Sequence, residues 1–223
     1  RWQGGHVLGT DELGRDLLVR LMWSCRISLL VALTASLISL AIGVLWGVVA
    51  GYRGGRTDAV MMRLVDVLYS VPLTPFVVVL TVLFGRDLVL LFIAIGAVSW
   101  LDIARVVRAQ TLGLKAREFV VAAEVAGLPP ATIMWRHIVP NLMGVTLVCL
   151  TLTIPAIIST EAFLSYIGLG AQSPLTSLGV MLADGAAQMR ARPLLLVLPA
   201  TLLIVLVYAC NRLGDALRDR HAG

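Results

Sequence analysis

The chain has 223 residues, of which 59% are hydrophobic and only 14% are charged, and its formal net charge is +5. Soluble domains carry about 25% charged residues, so this composition excludes an ordinary soluble domain. In a membrane protein Lys and Arg chiefly set the topology, so the positive charge does not indicate nucleic-acid binding.

Five apolar segments follow one another along the chain, and each approaches the roughly 20 residues that a membrane-spanning helix needs. We therefore predict an all-α fold, a multi-pass transmembrane helical bundle, in which residues 1–223 form a single domain. The predicted spans are residues 27–52, 59–84, 88–110, 138–160 and 193–211.

Residues 1–26 precede the first predicted span and have another pattern. From Asp11 to Arg26, charged positions alternate with leucines and Trp23 at helical spacing. This pattern is typical of an amphipathic helix that lies in the membrane interface, and Thr10 or Asp11 would cap that helix. The alternative is an ordinary polar lead-in.

The first predicted span carries small residues on one face. Gly43, Gly47 and Gly51 recur every four residues, which places them on the same side of a helix. Such a stripe lets the backbone of another helix approach closely.

Prolines interrupt two of the predicted spans. Pro72 and Pro75 lie in the second span and Pro155 lies in the fourth. Proline kinks a helix and frees backbone carbonyls, which is tolerated beside other protein or a water-filled cavity.

Charged residues lie near the ends of the same two spans. Arg63 and Asp66 are three residues apart, which predicts an ion pair on the interior of the bundle, with substrate contact as the alternative. Glu161 lies at the end of the fourth span. A carboxylate in a membrane is a functional candidate, and a structural partner or solvation is the alternative.

The longest charged stretch between apolar segments is the loop at residues 111–137. Good helix formers predict a helix over Ala116–Val125, and Gly127 is expected to end it with a positive φ. The two prolines that follow then begin a second helix, which enters the membrane near Pro140. Small residues beside Phe119 suit insertion into a groove on another protein, whereas the alternative is an unpartnered surface helix.

The distribution of Lys and Arg predicts the orientation of the chain. More of them lie on the side of this loop than on the opposite side, so the loop and the C-terminus are predicted to be cytoplasmic and the N-terminus outside. Residues 165–192 are then extracytoplasmic, and a re-entrant or interfacial helix is predicted near Leu178–Met189.

The chain lacks the motifs of covalent and nucleotide chemistry. It has no P-loop, no HExxH, no G-x-S-x-G and no paired catalytic carboxylates, and its three cysteines lack the spacing of a metal site. We therefore expect no enzyme activity, no metal and no cofactor in this chain. Energy for any uphill transport would come from a partner or from an ion gradient.

The segment Phe119–Pro140 resembles the coupling loop of the permeases of binding-protein-dependent ABC importers. That loop follows the pattern E-A-A-x3-G-x9-I-x-L-P, and the matching residues are Ala122, Ala123, Gly127 and Pro140.

The chain departs from this pattern at three positions. Val121, His137 and Val139 stand where the family has Glu, Ile and Leu. The missing Glu removes one expected polar contact to the ATPase, and Glu118 and Glu124 are the candidates to replace it.

Six further segments resemble the dipeptide, oligopeptide and nickel permease subfamily, and the GTDELGR and LSYIGLG runs are most similar to its C-type member. The segments are HVLGTDELGR (6–15), RISL (26–29), VDVLYSVP (65–72), REF (117–119), RHIVPN (136–141) and EAFLSYIGLG (161–170). Full-length relatives have one more span before the first of these segments, so this chain is expected to lack that helix.

The resemblance implies a function. The chain is expected to be a permease subunit of an ATP-driven importer for di- or oligopeptides in the bacterial plasma membrane, paired with a second, B-type permease. One or two ATPase subunits bind ATP and Mg, and an extracytoplasmic binding protein delivers the substrate. Nickel, heme or another small solute is the alternative cargo. A gradient-driven secondary transporter and a structural membrane protein are the alternative classes.

The resemblance also implies roles for particular residues. The residues that couple to the ATPase would be Arg117, Glu118, Phe119, Ala122, Ala123, Glu124, Gly127 and Pro140. The candidates for pathway and hinges are Asp66, Ser70, Pro72, Pro75, Pro155 and Glu161.

Overall fold

The computed structural model describes residues 7–11, 13–85, 88–170 and 175–222, with only the backbone described at 88–90 and 218–222. Apart from an isolated β-bridge between Thr10 and Asp16, every regular element in this part of the chain is a helix. The elements are α1 (Leu17–Arg53), α2 (Gly55–Tyr69), α3 (Leu73–Phe84), α4 (Leu88–Lys115), α5 (Glu118–Val125), α6 (Pro130–Ile133), a π-helical turn (Met134–Ile138), α7 (Val139–Asn141), α8 (Met143–Tyr166), α9 (Leu178–Ala187) and α10 (Leu194–Ala222).

The interfacial helix and the first span, which the sequence predicts as separate elements, form one helix of 37 residues, α1. No glycine or proline occurs before Gly43 in this helix, so nothing local ends it at Arg26. The predicted caps, Thr10 and Asp11, are wrong. Asp16 caps α1 instead, because its Oδ1 accepts hydrogen bonds from the backbone N–H groups of the second and third helical residues, at 2.8 and 3.2 Å.

The second predicted span consists of two helices, α2 and α3, with a break at residues 70–72. Pro72 has no backbone N–H and disfavours helical geometry at Val71, which accounts for the break. Pro75 does not interrupt a helix. It lies in the first turn of α3, where a missing N–H costs nothing.

Three helices of the described part of the chain are long and apolar enough to cross a membrane, namely α1, α8 and residues 194–217 of α10. The number is four if the broken pair α2 and α3 forms one span. The remaining predicted span corresponds to α4, which carries Asp102, Arg105 and Arg108 in its second half. The count of five spans stays a prediction.

Contacts divide the chain into two compact units. The first unit contains Arg1–Ala35, Leu73–Ile95 and Ile154–Arg212. Its buried apolar side chains come from α1, α3, α4 and α8 and include Ala32, Val77, Leu91, Ile95 and Ile158. Met181 of α9 packs with Leu17 and Leu21 at the start of α1.

The second unit contains Ser36–Pro72, Gly96–Thr153 and Leu213–Gly223. Its main core joins the end of α1, the middle of α4, helix α5 and the segment that follows α5. The buried members are Val48, Tyr52, Ile103, Val107, Val120, Ala123, Ile133, Met134, Ile138 and Leu142. The segment Phe119–Pro140, which the sequence analysis identified, is packed into this cluster.

Within the second unit, α4 packs directly on the glycine stripe of α1, as the spacing predicts. A Cβ atom added to Gly47 would lie 2.7 Å from the carbonyl oxygen of Ala104, and one added to Gly43 would lie 2.7 Å from Ile103. Real Cβ atoms essentially never come this close to other heavy atoms, so the two helices approach each other only because these positions are glycine.

Candidate functional site

Helix α5 has the length and the ends that the sequence predicts within a few residues. Arg117 stands before it in an extended conformation, with φ −79° and ψ 146°, and Glu118 is in its first turn. The Glu118 side chain is exposed, and a negative charge at this end interacts favourably with the helix dipole.

The two faces of α5 have different environments. Val120 is fully buried and Ala123 is 6% exposed, and both belong to the main core of the second unit. Phe119, Val121 and Val125 are on the other side, with 40%, 47% and 84% of their surface exposed. Ala122 is exposed as well. The expectation that both alanines form one smooth docking face is therefore wrong for Ala123, which faces the core.

Gly127 ends α5 in the way that the sequence predicts. Its φ is +76°, a conformation that costs most residues energy and glycine none. The Leu128 N–H donates to the carbonyl of Ala123 at 3.2 Å, and the Gly127 N–H donates to that of Glu124 at 3.0 Å. These two bonds define a Schellman motif, which reverses the chain sharply after the helix.

Glu124 contacts the end of α1. The hydroxyl group of Tyr52 donates a hydrogen bond of 3.0 Å to Glu124 Oε1. Lys115 Nζ, at the end of α4, donates to the backbone carbonyl of Tyr52 at 2.7 Å and lies 5.2 Å from the centre of the Tyr52 ring. Glu118, the other candidate acid, is exposed at the opposite end of α5.

The segment after the turn is helical from Pro130 onward, as predicted, but a π-helical turn interrupts it. Pro140 has no N–H to donate to the carbonyl four residues earlier, and the Val139 N–H donates five residues back, to Met134. The Asn141 side chain donates to the carbonyl of His137 at 2.6 Å. Pro140 itself is exposed in α7, and the sequence-based prediction did not include the π-helical turn.

The six pathway and hinge candidates are divided between the two units. Asp66, Ser70 and Pro72 belong to the second unit, and Pro75, Pro155 and Glu161 belong to the first. Ser70 follows α2 and donates from Oγ to the carbonyl of Val67 at 2.7 Å. Pro155 is buried inside α8.

The predicted ion pair of Asp66 with Arg63 on the bundle interior is wrong. Asp66 Oδ1 instead accepts a hydrogen bond of 2.9 Å from Arg105 Nη2, and 59% of its side chain is exposed. The Arg105 guanidinium lies 4.3 Å from the centre of the Tyr69 ring. Two groups on α2 thus hold one arginine of α4, an arrangement that spacing along one helix does not reveal.

Glu161 has structural partners. It is fully buried, and its two carboxylate oxygens accept hydrogen bonds from Ser28 Oγ at 3.0 Å and Ser165 Oγ at 2.7 Å. Ser28 Oγ in turn accepts from the Leu178 N–H at 3.4 Å. Of the sequence-based alternatives, a structural partner is therefore the one that the geometry supports, since the carboxylate joins α1, α8 and the start of α9.

Replacing Glu161 by leucine is expected to lower the free energy of unfolding by about 1–3 kcal/mol, because Ser28 and Ser165 lose their buried acceptor. Glu161→Gln keeps an acceptor oxygen and is expected to lose less. Thermal unfolding of the purified protein in detergent measures the difference. A Glu161→Leu protein as stable as the unmodified one would contradict a structural role for the carboxylate.

Asp11 organises the loop before α1. Its Oδ1 accepts hydrogen bonds from the backbone N–H groups of Leu13 and Arg15 at 2.9 and 2.8 Å. Its Oδ2 accepts from Arg15 Nε at 2.7 Å and Arg20 Nη1 at 2.9 Å. Arg20 Nη2 extends the network to Asp184 of α9 at 3.2 Å.

The pKa of Asp11 lies below its ordinary value of 3.8. Burial opposes ionisation of this carboxyl, but the hydrogen bonds from Arg15 and the charges of Arg15 and Arg20 outweigh it. A lowered pKa means that the stabilisation is fully present above the ordinary pKa and is lost only as the pH falls through the lower folded value.

Asp11→Asn is therefore expected to destabilise the protein by a similar amount at every pH from about 5 to 8. Because hydrogen bonds to a charged group are lost, the free energy of unfolding is expected to fall by about 1.5–3 kcal/mol. Thermal midpoints of both proteins across this range provide the measurement. A difference between the two proteins that disappears toward pH 5 would contradict the lowered pKa.

Comparison with known proteins identifies the family. The sequence profile of the family described as binding-protein-dependent transport system inner membrane component matches residues 43–222. The chain belongs to this family.

Named relatives of this transport-system component are peptide permeases. The chain is 49% identical over 217 residues to the oligopeptide transport system permease protein OppC of Haemophilus influenzae, and the match covers 97% of this chain and 70% of that protein. It is 44% identical over 215 residues to the dipeptide transport system permease protein DppC of Bacillus subtilis, covering 96% of this chain and 67% of that protein.

The fold of this chain is also similar to that of solved ABC transporter structures. The MetNI methionine ABC transporter, in an inward-facing conformation, superposes with a TM-score of 0.75 at 18% identity, covering 95% of this chain and 99% of that one. This similarity confirms the all-α transmembrane fold of an ABC transporter.

Several residues that organise this family member were missed by sequence reasoning. Tyr52 and Ser28 contact residues more than 70 positions away, and no local pattern points to them. Ser165 could have been found, because it lies four residues after Glu161, a spacing that brings side chains together on a helix.

Proposed function

We propose that the protein is a permease subunit of an ATP-driven ABC importer and forms part of the pathway for di- or oligopeptides. The observation that carries the proposal is α5, a short helix with one buried face, one exposed apolar face and a Schellman turn at Gly127. Family membership and the names of the relatives support the same function.

The proposed assembly contains this chain, a second permease of the B type, one or two ATPase subunits and an extracytoplasmic binding protein. ATP and Mg bind to the ATPase subunits. The N-terminus of this chain is outside and its C-terminus is cytoplasmic. Support comes from the positive-inside rule, since Arg105, Arg108, Lys115, Arg117 and Arg136 lie in or beside the loop that contains α5.

In this proposal the exposed face of α5 docks in a groove on the ATPase, a helix-in-groove contact. Closure of the ATPase subunits on ATP moves α5, and the packed core of the second unit passes this movement to α1 and α4. Converting a gate from mostly inward-open to mostly outward-open needs on the order of 5 kcal/mol of differential binding, which ATP binding to the partners supplies.

The coupling residues of the proposal are Phe119, Ala122 and Glu118 on the exposed face, with Arg117 and Gly127 setting the ends of α5. Ala123 and Glu124 attach α5 to the rest of the chain, and Pro140 lies after the π-helical turn. The pathway and hinge candidates are Asp66, Ser70, Pro72, Pro75, Pro155 and Glu161. Of these, Pro72 has the most direct support as a hinge, because the backbone is broken beside it.

Site-directed cross-linking tests the docking of α5. In a protein whose native cysteines Cys25, Cys149 and Cys210 are replaced by serine, Phe119→Cys is expected to cross-link to the ATPase subunit in membranes. Val120→Cys, one residue further on but buried, is the matched control and is expected not to react. Equal cross-linking at both positions, or at neither, would contradict the proposed docking face.

A further inference from the structure

We propose that the hydrogen bond between Tyr52 and Glu124 is a mechanical link that makes helix α5 move together with the end of α1. Tyr52 and Glu124 would then be positioning residues for the coupling of ATP hydrolysis to transport. This inference rests on the proposed function of α5. It adds Tyr52, which lies outside the coupling loop, and gives Glu124 a defined partner.

Apolar packing alone attaches α5 weakly. The helix has eight residues and contributes Val120 and Ala123 to the core. Contacts of this kind are not directional, so they oppose separation of the helix more than rotation or sliding along the core. The ends of α5 are attached only to the residues next to them in the sequence. These are the Schellman turn at Gly127 on one side and the single residue between α4 and Arg117 on the other.

The Tyr52 hydroxyl supplies a directional contact. It donates to Glu124 Oε1 at 3.0 Å; the residue Tyr52 is 7% exposed, whereas Glu124 is exposed. Among the described residues, no other side-chain hydrogen bond runs from α5 to another long helix. A hydrogen bond to a charged group is also stronger than a neutral one.

Lys115 fixes Tyr52 from a third helix. Its ammonium donates to the Tyr52 carbonyl at 2.7 Å, a carbonyl in the last turn of α1 that has no partner within the helix. The same ammonium lies 5.2 Å from the centre of the tyrosine ring, within the range of a cation–π contact. The C-terminal ends of α1, α4 and α5 therefore meet at one tyrosine.

This arrangement also distinguishes the two acids of α5. Both side chains are exposed, but Glu124 accepts the hydrogen bond from Tyr52, and no such contact to another helix holds Glu118 in the described part of the chain. Of the two candidates to replace the acid missing at Val121, Glu118 is therefore the one left for contact with the ATPase.

The test uses the complete transporter reconstituted in proteoliposomes, with its second permease, ATPase subunits and binding protein. The measured quantity is the amount of a labelled tripeptide taken up per ATP hydrolysed. Tyr52→Phe and Glu124→Ala are each expected to lower this ratio about tenfold, as loss of a hydrogen bond to a charged group predicts. Tyr208→Phe, on an exposed part of α10, is the matched control and is expected to keep the ratio.

Two further variants separate a link from a general loss of structure. Glu124→Gln retains an acceptor oxygen and is expected to restore most of the ratio. The double variant Tyr52→Phe, Glu124→Ala is expected to be no worse than either single variant, because one bond is removed only once. A Tyr52→Phe ratio equal to that of the unmodified transporter, or losses that add in the double variant, would overturn the inference.

The same experiment distinguishes failure of the link from failure of the proposed function. If the unmodified transporter shows no ATP-driven uptake, the proposed function is wrong. If it shows uptake and Tyr52→Phe does so equally well per ATP, only the link is wrong.

Discussion

Replacing Gly127 by valine is expected to reduce ATP-driven uptake by about tenfold or more. The residue has a φ of +76°, and a residue other than glycine in such a region costs on the order of 1–3 kcal/mol, with β-branched residues at the upper end. A cost of this size shifts the equilibrium between the closed and the open form of the turn toward the open form by about ten- to a hundredfold. An open turn releases the two hydrogen bonds that end α5, so the helix no longer keeps its direction toward the partner.

Two control variants isolate this effect. Apart from its chain neighbours, no atom of the described residues lies within 4 Å of a Cβ added at Gly127, so a clash within this part of the chain does not cause the predicted loss. Gly127→Asn, which tolerates the left-handed region, is expected to keep most of the uptake. Gly113→Val in α4, where a Cβ also comes within 4 Å of no other described part of the chain beyond the adjacent helix backbone, is expected to leave uptake near normal. Uptake by Gly127→Val at the level of Gly113→Val would show that the turn is not needed.

Replacing Gly47 by alanine is expected to destabilise the folded protein by about 1–3 kcal/mol, the usual cost of overpacking a core. The added methyl group would lie 2.7 Å from the carbonyl oxygen of Ala104 and 2.8 Å from Val107. Because the nearest atom belongs to the backbone, no side-chain rotation relieves the clash. Helix α4 must therefore move away from α1, which opens the core that also holds α5.

Gly96→Ala provides the matched control for this second prediction. Gly96 lies in α4, and a Cβ at this position meets no atom of the other described residues within 4 Å, its chain neighbours and the adjacent helix backbone aside. Alanine is the better helix former by roughly 0.5–1 kcal/mol, so this change is expected to stabilise the protein or to have no effect. Thermal midpoints and yields of both variants from membranes give the comparison. If the two substitutions acted alike, close packing on the glycine stripe could not be the cause.

The features that the sequence predicted well are those that local chemistry determines. The end of α5 at Gly127, the helix start at Pro130 and the break at Pro72 each depend on the backbone properties of glycine or proline. The glycine stripe of α1 also needed no knowledge of the partner helix. The continuity of α1 past Arg26 was missed because amphipathic and apolar patterns meet there without any residue that ends a helix.

Side-chain partners were predicted poorly, because they depend on tertiary structure. Asp66 is close enough to Arg63 along α2, yet it pairs with Arg105, 39 residues away. Tyr52 is 72 residues from Glu124, and Ser28 is 133 residues from Glu161. In each case a polar group meets a partner that only the packing of separate helices brings near, and one chain without its homologues carries no signal of that packing.

The most direct test of the central claim is the energy source of peptide uptake by the complete transporter in proteoliposomes. Uptake of a labelled tripeptide is expected to require ATP, the ATPase subunits and the binding protein, and to continue when a protonophore dissipates the proton gradient. Uptake that is driven by a proton gradient without ATP, and is abolished by the protonophore, would contradict the central claim.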